Sequence, residues 1–396
     1  MVRVKADPKL FPKSDGGVKT LFKFFPKDAV RGKARPQMES ALALAPMYLQ
    51  SAPACRRFSH RFSCLKFSGE VDSPCQTVGV TTISYSELQD RRGDLSPKIE
   101  EGFGPDGLGI VSVSGVPRFP YLRQTLLYLS SRLASLPDVV KCNLEDPDSR
   151  YNIGWSHGKE KLEAGKLDLC KGSFYANPIL DVPTTDVYLM KRYPSYCRRN
   201  LWPADALPEL QSAFKALGKL MLDVGMMLAY HCDQYVSKEV KINEDECLQR
   251  ILERSRCHKG RLLYYFPKQK SESFKDGVSS WCGWHTDHGC VTGLASGMFM
   301  ENGARIACPD GAAGLYVRTR DNQIVRADFG EEDLAFQIGE ITEILSQGHL
   351  CATPHCVRAP NGEKAIGVER STFALFMQPD WDEKLKLPSR IYHQEV

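Results

Sequence analysis

His285, Asp287 and His355 are the side chains of this sequence whose types and spacing could do chemistry together. In an extended segment residues i and i+2 point to one face while i+1 points away. In the run Trp284-His285-Thr286-Asp287-His288-Gly289, His285 and Asp287 are therefore expected to aim at one spot. A third group, His355 of His355-Cys356-Val357, would arrive from a separate strand. Two imidazoles and one carboxylate on one side of a metal leave other positions open, the pattern of non-haem Fe(II) centres that use dioxygen rather than of closed structural zinc. The same period-two argument applies to Arg370-Ser371-Thr372. There a guanidinium fork and a hydroxyl on one face suit the distal end of a dicarboxylate.

The residues from about Arg261 to Pro379 resemble the catalytic core of the 2-oxoglutarate/Fe(II)-dependent dioxygenases related to isopenicillin N synthase. That family's pattern runs His-x-Asp, a distal His-x-Val, then Arg-x-Ser/Thr in a final strand ending in Pro. Here Arg370 to Pro379 fits the last strand without a gap, and Gln337-Ile338-Gly339-Glu340 with Ile341 to Gly348 resembles the strand and turn before the distal histidine. Thr82 to Leu88 and Gly107 to Val113 look like its two N-terminal strands, so the resemblance covers roughly residues 80 to 380.

The resemblance implies Fe(II) held by His285, Asp287 and His355, with 2-oxoglutarate as cosubstrate and O2 as oxidant. Arg370, Thr372 and Tyr265 would hold the cosubstrate's far carboxylate. The reaction would oxidise a small organic molecule, by hydroxylation or desaturation, with release of succinate and CO2. One departure stands out: the family often has Asn-x-Tyr before a Pro, and Leu263 occupies the Asn position ahead of Tyr265.

Two readings compete. Cys282, His285, His288, Cys290, Cys351, His355 and Cys356 offer material for a structural zinc site in a scaffold protein, although their spacing does not reproduce paired knuckles. A jelly roll that binds a ligand without turnover is the other. His349 competes with His355 as third ligand, but Val357 and Arg370 fit the spacing that starts from His355. His288 is offset from the ligand pair and reads as a support behind the ligands or as structural, while Trp284 and Trp281 either wall the pocket or fill a core, with packing preferred for Trp281.

Positioning these groups calls for sheets backed by helices. Pro120 to Leu136, Leu207 to Tyr235 and Glu244 to Arg256 carry apolar residues at three- and four-residue steps, with Pro208 suited to a first turn. From Leu262 onwards strand signals dominate, and Gly314 to Arg320 with Gln323 to Ala327 around Asp321-Asn322 reads as a β-hairpin. The expected fold is α+β, a double-stranded β-helix (jelly-roll) core flanked by helices, with a flexible basic N-terminal extension. The expected organisation is an extension over 1–75, N-terminal strands and helical support over 76–258, the oxygenase core over 259–380 and a tail over 381–396.

Composition bounds the alternatives. The 396 residues carry a net charge of +4, from 52 basic and 48 acidic side chains, so charge gives no sign of a nucleic-acid partner. A small-molecule substrate is the default, and so is a monomer. Leu217 to Tyr230, the most apolar run, is interrupted by Lys219 and Asp223, which argues against a membrane span. Fourteen scattered cysteines suggest reduced thiols in an intracellular, cytoplasmic setting. The basic stretch Met1 to Lys66 offers a second address, a plastid or other organelle, if it is a transit peptide.

Overall fold

The computed structural model describes residues 75–160, 167–268 and 280–385. The expected extension, apart from its last position, and the tail beyond residue 385 lie outside the described residues.

The N-terminal strands are β1 (Thr77–Gly79), β2 (Thr81–Ser84) and β3 (Ile110–Ser114). The strand expected over Thr82 to Leu88 is cut short at Ser84, which caps helix α1 (Tyr85–Gln89). Ser84 Oγ accepts the Glu87 N–H at 3.2 Å while the Glu87 carboxylate accepts the Ser84 N–H at 2.9 Å. This reciprocal Ser-x-x-Glu box satisfies two end donors and starts a helix where alternation alone continues the strand. Helix α2 (Ser96–Phe103) follows, and Gly109, at φ +70°, holds the turn into β3 so that the strand starts later than Gly107.

Helix α3 (Phe119–Ala134) matches the expected apolar stripe within two residues at each end, and a short α4 (Asp138–Asn143) follows it. Strands β4 (Gly154–His157) and β5 (Lys171–Ala176) precede two short helices, α5 (Val187–Arg192) and α6 (Pro194–Cys197). Helix α7 spans Glu209–Glu239, 31 residues. Helix α8 is only Leu248–Glu253, shorter than expected, because Cys247 is extended and Asp233 of α7 caps the new start. Its carboxylate accepts the Leu248 and Gln249 N–H groups, each at 2.8 Å. A cap supplied from another helix leaves no local mark in the sequence.

The C-terminal strands are β6 (Lys259–Tyr265), β7 (Ser280–His285), β8 (Val291–Ala295), β9 (Met298–Glu301) and β10 (Ala304–Ile306). They continue as β11 (Gly314–Arg318), β12 (Ile324–Asp328) and β13 (Leu334–Ile338), then helix α9 (Glu340–Leu345), β14 (His355–Arg358) and β15 (Val368–Met377). The expected hairpin is present as the antiparallel pair β11 and β12.

Two sheets result. The small one runs β1-β12-β11-β14-β7, and the large one runs β2-β3-β13-β8-β15-β6-β5-β4 with β9 and β10 attached through β15. The large sheet draws strands from both sides of residue 258, so the two expected segments share one framework. Val317 and Val325 of the small sheet pack with Ile110 and Ala335 of the large one, so the sheets face each other over a thin apolar layer. Helix α7 backs the large sheet: Phe214 meets Phe373 edge-on with centroids 5.0 Å apart. Gly225 leaves room for Met377, whose sulfur would lie 2.4 Å from a Cβ there. Each such fully buried Phe or Met contributes roughly 1.5–3 kcal/mol. The opposite face of β6 and β15, which carries Tyr265 and Arg370, is turned away from that helix. No described helix is long and apolar enough to cross a membrane.

One buried charge makes stability depend on pH. Lys259, at the start of β6, donates to the Ser195 carbonyl at 2.5 Å and faces the Tyr196 ring at 4.6 Å, and burial pushes its pKa down to about 7. The unfolded chain holds that proton to about 10.4, so the native state binds fewer protons between these values and stability rises with pH across the window. Below the folded pKa the desolvation cost is fully present. Replacing Lys259 by Met is expected to raise Tm more near pH 6 than near pH 9, because each unit of pKa separation corresponds to about 1.4 kcal/mol. Thermal unfolding at both pH values checks this, and an equal effect at each would show that the amine does not titrate in the window.

Candidate metal centre and anion pocket

The backbone register brings the two histidines together. β14 pairs antiparallel with β7, placing His355 opposite His285, and their ring centroids lie 4.3 Å apart. The donor atoms of His285, Asp287 and His355 all fall within 4.8 Å of one another, with His285 Nε2 3.8 Å from Asp287 Oδ1. Among the described residues this is the one grouping of His, Cys, Asp and Glu side chains so disposed. His349, just past α9, is not part of it. None of Cys282, Cys290, Cys351 and Cys356 joins the converging donors, so a cysteine-based zinc set is not assembled among the described residues.

The hydrogen bonds behind the rings fix which nitrogen is free. His285 Nδ1 donates to the Gly283 carbonyl at 2.8 Å, and His355 Nδ1 donates to the Thr353 carbonyl at 3.1 Å. A carbonyl can only accept, so both protons sit on Nδ1 and both Nε2 lone pairs are left for a cation. Burial by itself would lower the pKa of His285, but its hydrogen bond to Cys282 and the charges of Cys282 and Asp287 outweigh it and push the value up to about 9. Burial lowers His355, Asp287 opposes that, and the neighbouring His285 adds to it. Without a metal Cys282, and after it Asp287, thus favour a proton on the His285 ring, and a divalent cation would take that proton's place.

Strand geometry does not by itself account for Asp287. β7 ends at His285, so Asp287 lies in the following loop rather than on the expected strand. The loop is tied to the start of α9 by Glu340 N–H to Asp287 O (2.8 Å), Gly339 N–H to Cys290 O (2.8 Å) and Ile341 N–H to Gly289 O (3.2 Å). Gly339 has to be glycine: a Cβ there would lie 2.2 Å from Gly289 O and 2.9 Å from Asp287 O.

A buried guanidinium lies against Trp281 of β7, the strand that ends at His285. Arg370 of β15 sits opposite Tyr265 of β6 on one side and Phe299 of β9 on the other. Its guanidinium carbon is 5.2 Å from the Tyr265 ring centre and 4.9 Å from that of Trp281. A Cβ on Gly297 would lie 2.4 Å from Arg370 Nε, so only glycine leaves space for the group. Nη1 of Arg370 is buried with no hydrogen-bond partner, and Arg370 forms no ion pair among the described residues. Burial lowers its pKa, and Tyr265 offsets part of the effect. An unpaired buried guanidinium is costly, and an anion is what would satisfy it.

Of the other residues expected at the clamp, Tyr265 reaches the guanidinium through its ring. Thr372 lies opposite Leu263 and donates its hydroxyl to the Ala295 carbonyl at 2.8 Å. Trp281, expected as packing, does pack, stacking 4.6 Å from Tyr265, but it also covers the guanidinium. That role was readable, since Trp281, Gly283 and His285 alternate along β7. Trp284 instead lies under Arg318, 5.0 Å from the guanidinium carbon. His288 stands outside the cluster, with Nδ1 2.6 Å from Glu340 Oε2.

Comparison with known proteins places the fold. No family model matches the sequence and no curated protein matches it. Solved structures do match. A full-length Neurospora crassa protein in complex with alpha-KG is 17% identical over 80% of this chain and 90% of its own, with a TM-score of 0.59. A Caulobacter crescentus protein assigned to the 2OG-Fe(II) oxygenase family is 18% identical over 78% of this chain and 90% of its own, with a TM-score of 0.58. JOX2 in complex with 2OG, Fe and JA is 17% identical over 86% of this chain and 88% of its own, with a TM-score of 0.53. The chain has the fold of the 2OG-Fe(II) oxygenases.

Proposed function

We propose that the protein is a non-haem Fe(II)- and 2-oxoglutarate-dependent dioxygenase built on a double-stranded β-helix core. It oxidises a small organic molecule, by hydroxylation or desaturation, and releases succinate and CO2. The observation that carries this reading is the pairing of two sites: three converging donors with both imidazole Nε2 atoms free, beside a buried Arg370 whose Nη1 lacks a partner. Neighbours with the same fold were crystallised with alpha-KG and thymine, and with 2OG, Fe and JA.

In this reading His285, Asp287 and His355 hold the ferrous ion, and the two Nδ1–H bonds to backbone carbonyls keep the rings oriented and their basicity high. Bound iron supplies dioxygen activation coupled to oxidative decarboxylation of the oxoacid. Arg370 clamps the far carboxylate with Nη1 as its open donor, while Tyr265 and Trp281 wall the guanidinium from water and so strengthen the pair. Thr372 adds a donor only by turning from Ala295, and otherwise fixes the turn beside Arg370. Leu263, in the position of the family Asn, supplies an apolar wall.

The same sheet face carries further polar groups beyond Tyr265. Lys171 lies opposite Tyr265 and Tyr175 opposite Arg261 across β5 and β6. Glu160 ties Lys171, Tyr175 and Arg261 together. This polar wall favours a small molecule that carries hydrogen-bonding groups. Cys197, Cys232, Cys257 and Cys290 are buried as free thiols, which supports an intracellular setting.

Purified protein loaded anaerobically with Fe(II) and then given 2-oxoglutarate and air is expected to release succinate, with no release when either addition is omitted. Absence of succinate, together with a tightly held zinc whose removal unfolds the chain, would favour a zinc-stabilised binding protein.

A further inference from the structure

Asp287 lies beyond the last paired residue of β7, so the sheet's own hydrogen bonds do not hold it. Its two neighbours are held instead, and by one side chain. Thr286 Oγ1 donates to Glu340 Oε1, and His288 Nδ1 lies 2.6 Å from Glu340 Oε2. The Glu340 backbone N–H meanwhile donates to the Asp287 carbonyl at 2.8 Å. The two sets are separated: 285 and 287 contribute to the cluster, while 286 and 288 meet one carboxylate outside it. Glu340 is not among the converging donors itself.

We propose that Glu340 is the positioning residue for Asp287, gripping both flanking side chains and the Asp287 carbonyl so that the carboxylate stays aimed between the two imidazoles. The proposal rests on the reading of His285, Asp287 and His355 as a metal centre. Glu340 adds no ligand; it sets how much reorganisation the loop undergoes when a cation binds. Its carboxylate and the His288 ring are each about half exposed, 43% and 56%, so water partly replaces the lost bonds. The effect belongs at the weak end of the range for groups that orient ligands, about tenfold in metal affinity.

The test uses the full chain and Mn(II) as a stable stand-in for Fe(II), with affinity read from the free-Mn(II) paramagnetic resonance signal and Tm measured without metal. Glu340→Ala is expected to weaken Mn(II) binding about tenfold. Glu340→Gln can accept from His288 through its carbonyl oxygen and donate to Thr286, and is expected to stay within about threefold of wild type. Rescue by Gln at a metal-free Tm equal to that of the Ala variant separates positioning from general stability. If Glu340→Ala does not fold, the double variant Thr286→Val with His288→Ala removes both side-chain bonds from the other partner and is expected to show the same weakening. Wild-type affinity in Glu340→Ala, or in the double variant where Glu340→Ala does not fold, overturns the proposal. A wild-type chain that binds no Mn(II) overturns the metal-centre reading, and the proposal falls with it.

Discussion

Replacing Asp287 by alanine is expected to abolish iron binding and turnover while leaving the metal-free fold intact. Asp287 is the one anionic donor of the cluster, its side chain only 10% exposed beside two imidazoles. Without it two neutral rings remain, which offer lone pairs but offset none of a divalent cation's charge. Loss of a group that merely orients a ligand costs roughly 10- to 100-fold in affinity, so loss of the ligand itself is expected to cost well over about a hundredfold. The aspartate packs in no apolar core, so the metal-free Tm is expected to shift by no more than about 2 °C, the change that about 1 kcal/mol produces in a domain of this size. Calorimetric titration with metal and a thermal melt of the same sample check both halves. A variant that still binds iron and turns over would remove Asp287 from the ligand set.

Arg370→Ala is expected to act on the cosubstrate and not on the metal. Truncating one partner of a buried, hydrogen-bonded charge pair costs about 2–5 kcal/mol, equivalent to a rise of roughly 30- to several-thousand-fold in the 2-oxoglutarate concentration required. Iron affinity is expected to hold, since Arg370 is not among the converging donors. The metal-free protein is expected to lose no stability and can gain some, because the guanidinium is buried with Nη1 unpartnered. Lower cosubstrate affinity at equal or higher Tm marks a residue kept for binding rather than folding. Arg370→Lys is expected to restore only part of the affinity, since an ammonium lacks the planar fork. An unchanged 2-oxoglutarate requirement in Arg370→Ala would move the clamp elsewhere.

Much of this site was legible because its chemistry is written in residue types. His285, Asp287, His355 and Arg370 stand out by type and spacing; the structure brings the first three together, and sets Arg370 against Tyr265 and against Trp281 of β7, the strand that ends at His285. What spacing could not convey was how Asp287 is held, since β7 ends two residues before it and the clasp comes from Glu340, more than fifty positions away. The long α7 was readable from its apolar stripe, whereas α8 was overextended because its cap comes from Asp233 on another helix. The early end of β2 had a local sign, the Ser84-x-x-Glu87 box, but the expectation of strand over Thr82 to Leu88 rested on the family resemblance. Gly297 and Gly339 were silent in sequence, because their importance lies in atoms that approach from elsewhere in the chain.

The most direct measurement is an anaerobic titration of the metal-free protein with Fe(II), with and without 2-oxoglutarate, followed by visible absorption. One ferrous ion per chain is expected, with a charge-transfer band that needs both additions, is lost in Asp287→Ala and shifts to higher 2-oxoglutarate in Arg370→Ala. Iron that binds with no spectral response to saturating 2-oxoglutarate, or fails to bind at all, would contradict the assignment of these residues to a ferrous centre and its cosubstrate clamp.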